Sequence, residues 1–383
     1  MKTKVLTVIA ASCLLLSTRD AQADAVPMPA MTGPLAANAN PYTFDTKTPL
    51  GKIYATGAAS ALAFMQSNPA TADEHSLADI DNAQIFVQNT SGPVQFFLQG
   101  GTYSMPSLGT AYLRQGKTPD KTYGYLPQEY IKLAPVDNFS IQAGKLPTLF
   151  GAEYTFTFEN MNIERGLLWN QEPAVSRGVQ ANYTAGPLAL SLSVNDGYYS
   201  DHYNWLSGSA AYTIDKDNSL SFIAGDNLDD TTHTSFATPL AQNNSSIYNL
   251  IYTHTAGAWT FNPYLQYTYV PENASVGIAH NASTYGAAML AKYAVNSNVN
   301  IAGRAEYIGS TGSIANGAPN LLYGQGSKAW SLTLTPTYQQ DKFFGRVEAS
   351  YVHASDSVAG AAFGSAGNDR SQGRLALETG ILF

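Results

Sequence analysis

Charge is scarce in this chain. Asp, Glu, Lys and Arg make up 13% of its 383 residues, about half the usual share. That is too little to cover a water-facing surface. Cysteine is nearly absent. The single one, Cys13, falls in a segment expected to be removed, so the mature chain has no disulfide and no thiolate metal site. Ala10-Ala11-Ser12-Cys13 also lacks the Leu usual in a lipidation motif. Beyond the N-terminus there is no apolar run of bilayer length, which excludes membrane-spanning helices. The net charge of −8 argues against a nucleic-acid partner.

Catalytic and cofactor signatures are missing too. The six histidines, His75, His202, His233, His254, His280 and His353, are scattered without ligand spacing, so no metal site is expected. There is no Gly-x-Ser-x-Gly elbow. Gly324-Gln325-Gly326 lacks the third glycine and the helix of a dinucleotide motif. The expectation is no enzyme and no cofactor.

What is present points elsewhere. The 24 tyrosines outnumber Lys and Arg together, at 20. From Leu375 the chain alternates strictly. Leu375, Leu377, Thr379, Ile381 and Phe383 fall on one side, and Arg374, Ala376, Glu378 and Gly380 on the other. A period of two is a strand with one apolar and one polar face. An aromatic last residue suits the closing strand of a transmembrane barrel, where it meets the membrane interface. Phe383 is the expected signal for the outer-membrane insertion machinery.

Met1 to Ala23 reads as a secretory signal, with Lys2 and Lys4, an apolar run from Val5 to Leu16, and Ala21-Gln22-Ala23 before Asp24. Residues 24–48 are rich in Pro, Ala, Asn and Met without periodicity, and are expected as a flexible periplasmic lead-in. From residue 49 to Phe383 about sixteen strands of roughly ten residues follow, the length a tilted membrane strand needs. Long polar connections alternate with short ones such as Ser91-Gly92-Pro93, Ala185-Gly186-Pro187 and Gln340-Asp341-Lys342. The short ones carry tight-turn residues. Outer-membrane barrels place short turns in the periplasm and long loops outside. The expected fold class is therefore all-β: a transmembrane, antiparallel, up-and-down β-barrel of about sixteen strands.

If the apolar face meets lipid, the other face lines the lumen. Lys132, Lys292, Arg304, Glu306, Arg346, Glu348, Arg374 and Glu378 are then inward candidates, because Arg or Lys against mid-membrane lipid costs about 2–4 kcal/mol. Pairing among themselves and solute selection are both open as their role. The connection Leu146 to Ser176 is the least loop-like. It carries Glu153, Glu159, Glu164, Arg165 and Glu172 among Phe150, Phe156, Phe158 and Trp169. So long and aromatic a loop is expected to pack on something. Folded into the lumen it is a constriction with a transverse field; over the rim it is a lid.

The same region resembles a known family. Ala143-Gly144-Lys145, Phe150-Gly151-Ala152-Glu153, Asn160 to Arg165, Leu167-Leu168-Trp169 and Glu172-Pro173 ahead of Gly178 are similar to the central signature of the OmpL-like β-barrel porins of family 2. Asn195-Asp196-Gly197-Tyr198 resembles the Asn-Gly-Trp segment that follows there. Ser176-Arg177 and Tyr198 depart from that pattern. The resemblance implies a porin in the outer membrane of a Gram-negative bacterium. Its partners would be outer-membrane lipid, lipopolysaccharide and small hydrophilic solutes, and a homo-oligomer is compatible with it. The alternative is a closed barrel whose long loops bind a ligand, such as an iron chelate, or act as an adhesin. Packed aromatics blocking the lumen would favour that alternative.

Overall fold

The computed structural model describes residues 31–48 and 50–383. The expected signal, Cys13 and the start of the lead-in lie outside them. A short strand comes first, β1 (Tyr42–Asp45). The first half of the barrel then comprises β2 (Lys52–Gln66), β3 (Ser76–Asn89), β4 (Val94–Tyr103), β5 (Gln128–Val136), β6 (Phe139–Pro147), β7 (Val175–Ala185), β8 (Leu188–Asn195) and β9 (Trp205–Thr213). The second half comprises β10 (Asn218–Asn227), β11 (Ser246–Ala256), β12 (Trp259–Val270), β13 (Ala282–Ala294), β14 (Val299–Ser310), β15 (Lys328–Gln340), β16 (Phe343–Ser355) and β17 (Ser371–Leu382).

Each barrel strand pairs antiparallel with the next in sequence. The sheet closes where β17 meets β2, from Arg374↔Gln66 to Leu382↔Ala58. The result is a closed antiparallel barrel of sixteen strands, β2 to β17. Closure leaves no edge in the hydrocarbon. Phe383 continues the ladder by one residue, exchanging bonds of 2.6 and 2.9 Å with Gly57. Below that point β1 pairs with the start of β2, Tyr42↔Ala55 to Asp45↔Lys52. The other edge of β2 is taken by β3 down to Tyr54↔Gln88, so β1 continues the edge that Phe383 leaves.

Alternation decides the faces. On β17, Leu375 and Leu377 are about half exposed while Arg374, Ala376 and Glu378 are buried. The outward aromatics form rows: Tyr248, Tyr267, Tyr285, Tyr307, Trp330 and Tyr351 toward the long-loop end, and Tyr183, Tyr212, Trp259, Tyr338 and Phe343 toward the short turns. Leu250, Leu265, Met289, Leu332 and Val347 lie between them. Two amphipathic rows around an aliphatic band match the interfaces and core of a bilayer.

One strand starts earlier than its composition suggests. Sequence places a polar loop up to Asp79, yet β3 begins at Ser76, with a register shift at Ser60/Ala61. Asp81 and Asn82 are strand residues facing the lumen, both fully buried. Inward polar residues on a barrel strand imitate the composition of a loop.

Candidate functional site: the loop inside the barrel

The chain leaves β6 at Pro147 and returns as β7 at Val175. Between them, residues 148–174 run through the lumen. Phe156, Phe158, Ile163 and Leu168 are buried. A strand satisfies its backbone in the ladder, whereas an irregular segment inside a barrel must find other partners. Here the wall supplies them.

On β14 and β16 an Arg and a Glu sit two residues apart on the inner face. Glu348 accepts the N–H groups of Ile163 and Glu164 at 2.6 and 3.0 Å. Glu306 accepts those of Leu167 and Leu168 at 3.0 and 3.3 Å. Arg346 donates to the carbonyls of Thr157, Asn160 and Met161 at 3.0, 2.9 and 2.9 Å. Arg304 donates to the Glu164 carbonyl at 2.7 Å and to the Glu153 carboxylate at 2.5 Å. Charged donors and acceptors make the stronger hydrogen bonds, so the two pairs act as clamps on the loop backbone. Gly166 lies so close to Glu306 that a Cβ would enter its carboxylate.

On β17, Arg374 meets Glu164 and Gln66, lies 3.6 Å from Asp73, and covers the Phe64 ring at 4.7 Å. Glu378 accepts from the Thr157 hydroxyl at 2.6 Å and from Arg346 at 3.2 Å. Six of the eight inward candidates therefore meet the loop and are buried. Lys132 and Lys292 are half-buried, away from it. The six clamp a segment of chain rather than face open water, because the loop backbone needs partners that a hydrated wall would not.

The loop carboxylates are consumed in the same way. Glu153 also accepts the Gly166 N–H at 2.8 Å. Glu164 accepts from Ser350 at 3.1 Å as well as from Arg374. Glu159 caps a short turn through the Phe156 N–H at 3.0 Å, and Glu172 accepts from the Tyr264 hydroxyl. Burial pushes the Glu159 and Glu172 carboxyls up to about 8. Arg165 lies over Trp169 at 5.2 Å. Its side-chain nitrogens make no hydrogen bond among the described residues, and burial pulls it down to about 10.

Sequence reasoning missed two parts of this site. Asp81 sits between the hydroxyls of Ser60 and Thr157 at 2.7 and 3.1 Å; only its alternation with Ile80 could have revealed it. The other part is the stretch 31–40, expected as a flexible lead-in. Thr32 donates its N–H to the Glu159 carbonyl at 2.8 Å. Lys292 donates to the Gly33 carbonyl at 2.8 Å. The Gln339 amide pairs with Ala36 in both directions, at 2.8 and 2.7 Å. Leu35 is 5% exposed and packs in a buried cluster with Phe86, Phe97, Phe158, Phe344 and Leu382. Without regular spacing, a segment bound through its backbone leaves no pattern to read.

The model of a family described as Putative beta-barrel porin-2, OmpL-like matches residues 52–383. The chain belongs to that family. Three solved porin-like structures share its fold. Outer-membrane expressed OmpT of Vibrio cholerae aligns at TM-score 0.59 and 13% identity, over 89% of this chain and 100% of that one. An anion-selective porin from Comamonas acidovorans aligns at 0.58 and 11%, over 86% and 99%. The outer membrane channel DcaP of Acinetobacter baumannii aligns at 0.58 and 10%, over 89% and 99%. No curated protein matches the chain in sequence. Family membership implies residence in a Gram-negative outer membrane. In this OmpL-like porin, the stretches carrying the resemblance fall largely on the inner loop. Asn160 ties the loop to itself, through the Tyr154 N–H at 2.7 Å and the carbonyls of Tyr154 and Phe156, both at 2.8 Å.

Proposed function

We propose that this porin is a channel for passive diffusion of small hydrophilic solutes, with residues 148–174 as its constriction. The observation that carries the reading is the clamped loop. Four charged side chains on β14 and β16 fix an irregular segment across the lumen, and a fixed obstruction sets the size of what passes. The barrel acts as a pore rather than an enzyme. Purified protein in a planar bilayer tests this. A resolved conductance, enlarged by deletion of Glu159 to Glu172, is expected. No conductance over a range of protein concentrations, with the barrel folded, rejects it.

The second reading, a barrel closed at rest whose outer loops bind a ligand, also has support. Phe86, Phe97, Tyr103, Phe156 and Phe158 fill one side of the lumen. Above the inner loop, Tyr323 and Phe363 of the outer loops pack at 5.2 Å. The same recording separates the two readings, because a closed barrel stays silent until the packed segments are removed.

A further inference from the structure

The lumen has two unlike walls. On β14 to β17 the inward side chains include four charged residues that clamp the loop backbone, and the 31–40 stretch leans on the same side through Gln339 and Leu382. The wall of β6 to β10 is different. Its inward residues include Ser140, Gln180, Ser191, Ser193, Ser207 and Ser209, and none of its inward residues is charged. The amides tie the hydroxyls together: Asn195 donates to Ser193 and to Ser207, each at 3.0 Å, and Gln180 to Asn182 at 2.7 Å. The Ser209 hydroxyl has no partner among the described residues. Loop residues 150–172 bond instead to β3, β11, β12 and β14 to β17, for example through Asn82, Asn249 and Gln266.

Space remains on both sides of the loop: one cavity lies under the 31–40 stretch, lined largely by the apolar Met31, Phe86, Phe158 and Leu382, and the other is polar. The polar cavity lies between the roots of the loop and this wall, lined by Thr148, Phe150, Pro173, Gln180, Ser193 and Ser207. Toward the short-turn end, Gln142, Asn182, Ser219 and Thr253 are inward and half-exposed. At the other end the Phe150 ring reaches across to the backbone of Gly225.

We infer that solutes cross along the hydroxyl-lined wall of β6 to β10, past Phe150, and that the class admitted is small, uncharged, hydroxyl-bearing molecules. The inference rests on the pore reading above. An ion entering so narrow a neck sheds water and finds no fixed opposite charge there, while the carboxylates and guanidiniums of β14 to β17 across the lumen are already engaged and Arg165 is buried against Trp169. A polyol exchanges its hydrogen bonds with water for bonds to Ser, Asn and Gln, groups that both donate and accept.

Cys13 being the only native cysteine, single cysteines report the route. Ser193→Cys and Ser207→Cys channels should lose most of their conductance on treatment with a methanethiosulfonate reagent. Ala376→Cys, buried on the opposite wall, should be unaffected. Phe150→Ala should raise conductance severalfold. In liposome swelling, a neutral polyol should enter at least as fast as a cation or an anion of its size. Block at Ala376→Cys with none at Ser193→Cys and Ser207→Cys overturns the route. Severalfold faster entry of either charged solute overturns the class. Neither result touches the pore reading. A folded barrel that admits nothing, even as Phe150→Ala, overturns both.

Discussion

At the scale of single residues, spacing does more here than identity. Arg304 with Glu306, and Arg346 with Glu348, each put a donor and an acceptor on one face of one strand. A segment crossing them finds partners for its carbonyls and its N–H groups in turn. Two carboxyls of the loop carry a pH dependence. Glu172 has an ordinary value of 4.5 and is raised to about 8, chiefly by burial, with Glu153 and Glu306 adding to the rise and the Tyr264 bond opposing it. Glu159 is raised to about 8 by burial as well. A raised carboxyl is protonated in the fold over a range where the released chain has already ionised. Its contribution is therefore complete below about 4.5, declines as pH rises to about 8, and is constant beyond. Each unit of difference is worth about 1.4 kcal/mol. The urea midpoint of unfolding is expected to fall between pH 5 and 8, and to fall less in Glu172→Gln. An equal slope in the variant would mean that Glu172 is not the group titrating.

At the scale of elements, strands and segments differ in what holds them. The strands were legible because a ladder imposes a period of two, and sidedness follows from it: Leu377 out and Glu378 in could be read from β17 alone. The inner loop was half legible. Its length and aromatics required it to pack and made the lumen the reading adopted, with the rim still open, because the clamping bonds join residues more than a hundred positions apart. The 31–40 stretch was illegible, since its polar partners mostly touch its backbone and the buried Leu35 has no periodic apolar neighbours. Gly33 sits in a turn so tight that a Cβ would lie 2.5 Å from the Leu35 carbonyl oxygen, and the Gln339 amide supplies two of the bonds downstream of it. Gln339→Ala removes both, at a cost of about 1–3 kcal/mol. Residues 31–40 are expected to exchange their amide hydrogens faster in that variant, while β14 to β17 keep native protection. Unchanged exchange would show that Leu35 alone retains the stretch.

At the scale of the whole molecule, two solvents fix the fold. Lipid receives Leu332, Leu334, Val347, Leu375 and Leu377, each more than 40% exposed, and the interior receives Arg304, Glu306, Arg346, Glu348, Arg374 and Glu378. A barrel dissolved in water would gain from the opposite arrangement. The distinction is measurable by depth. Leu377 lies midway along β17, and Phe343 at the short-turn end of β16, where Phe343↔Ile381 are paired. An Arg facing lipid costs about 2–4 kcal/mol at the bilayer midplane and about 0–1 near an interface. Leu377→Arg is therefore expected to destabilise the barrel in vesicles by several-fold more free energy than Phe343→Arg. Unfolding from lipid vesicles, read from the urea dependence of tryptophan fluorescence, measures both. Equal costs, or a larger one at Phe343, would place the hydrocarbon elsewhere than the aliphatic band between the aromatic rows.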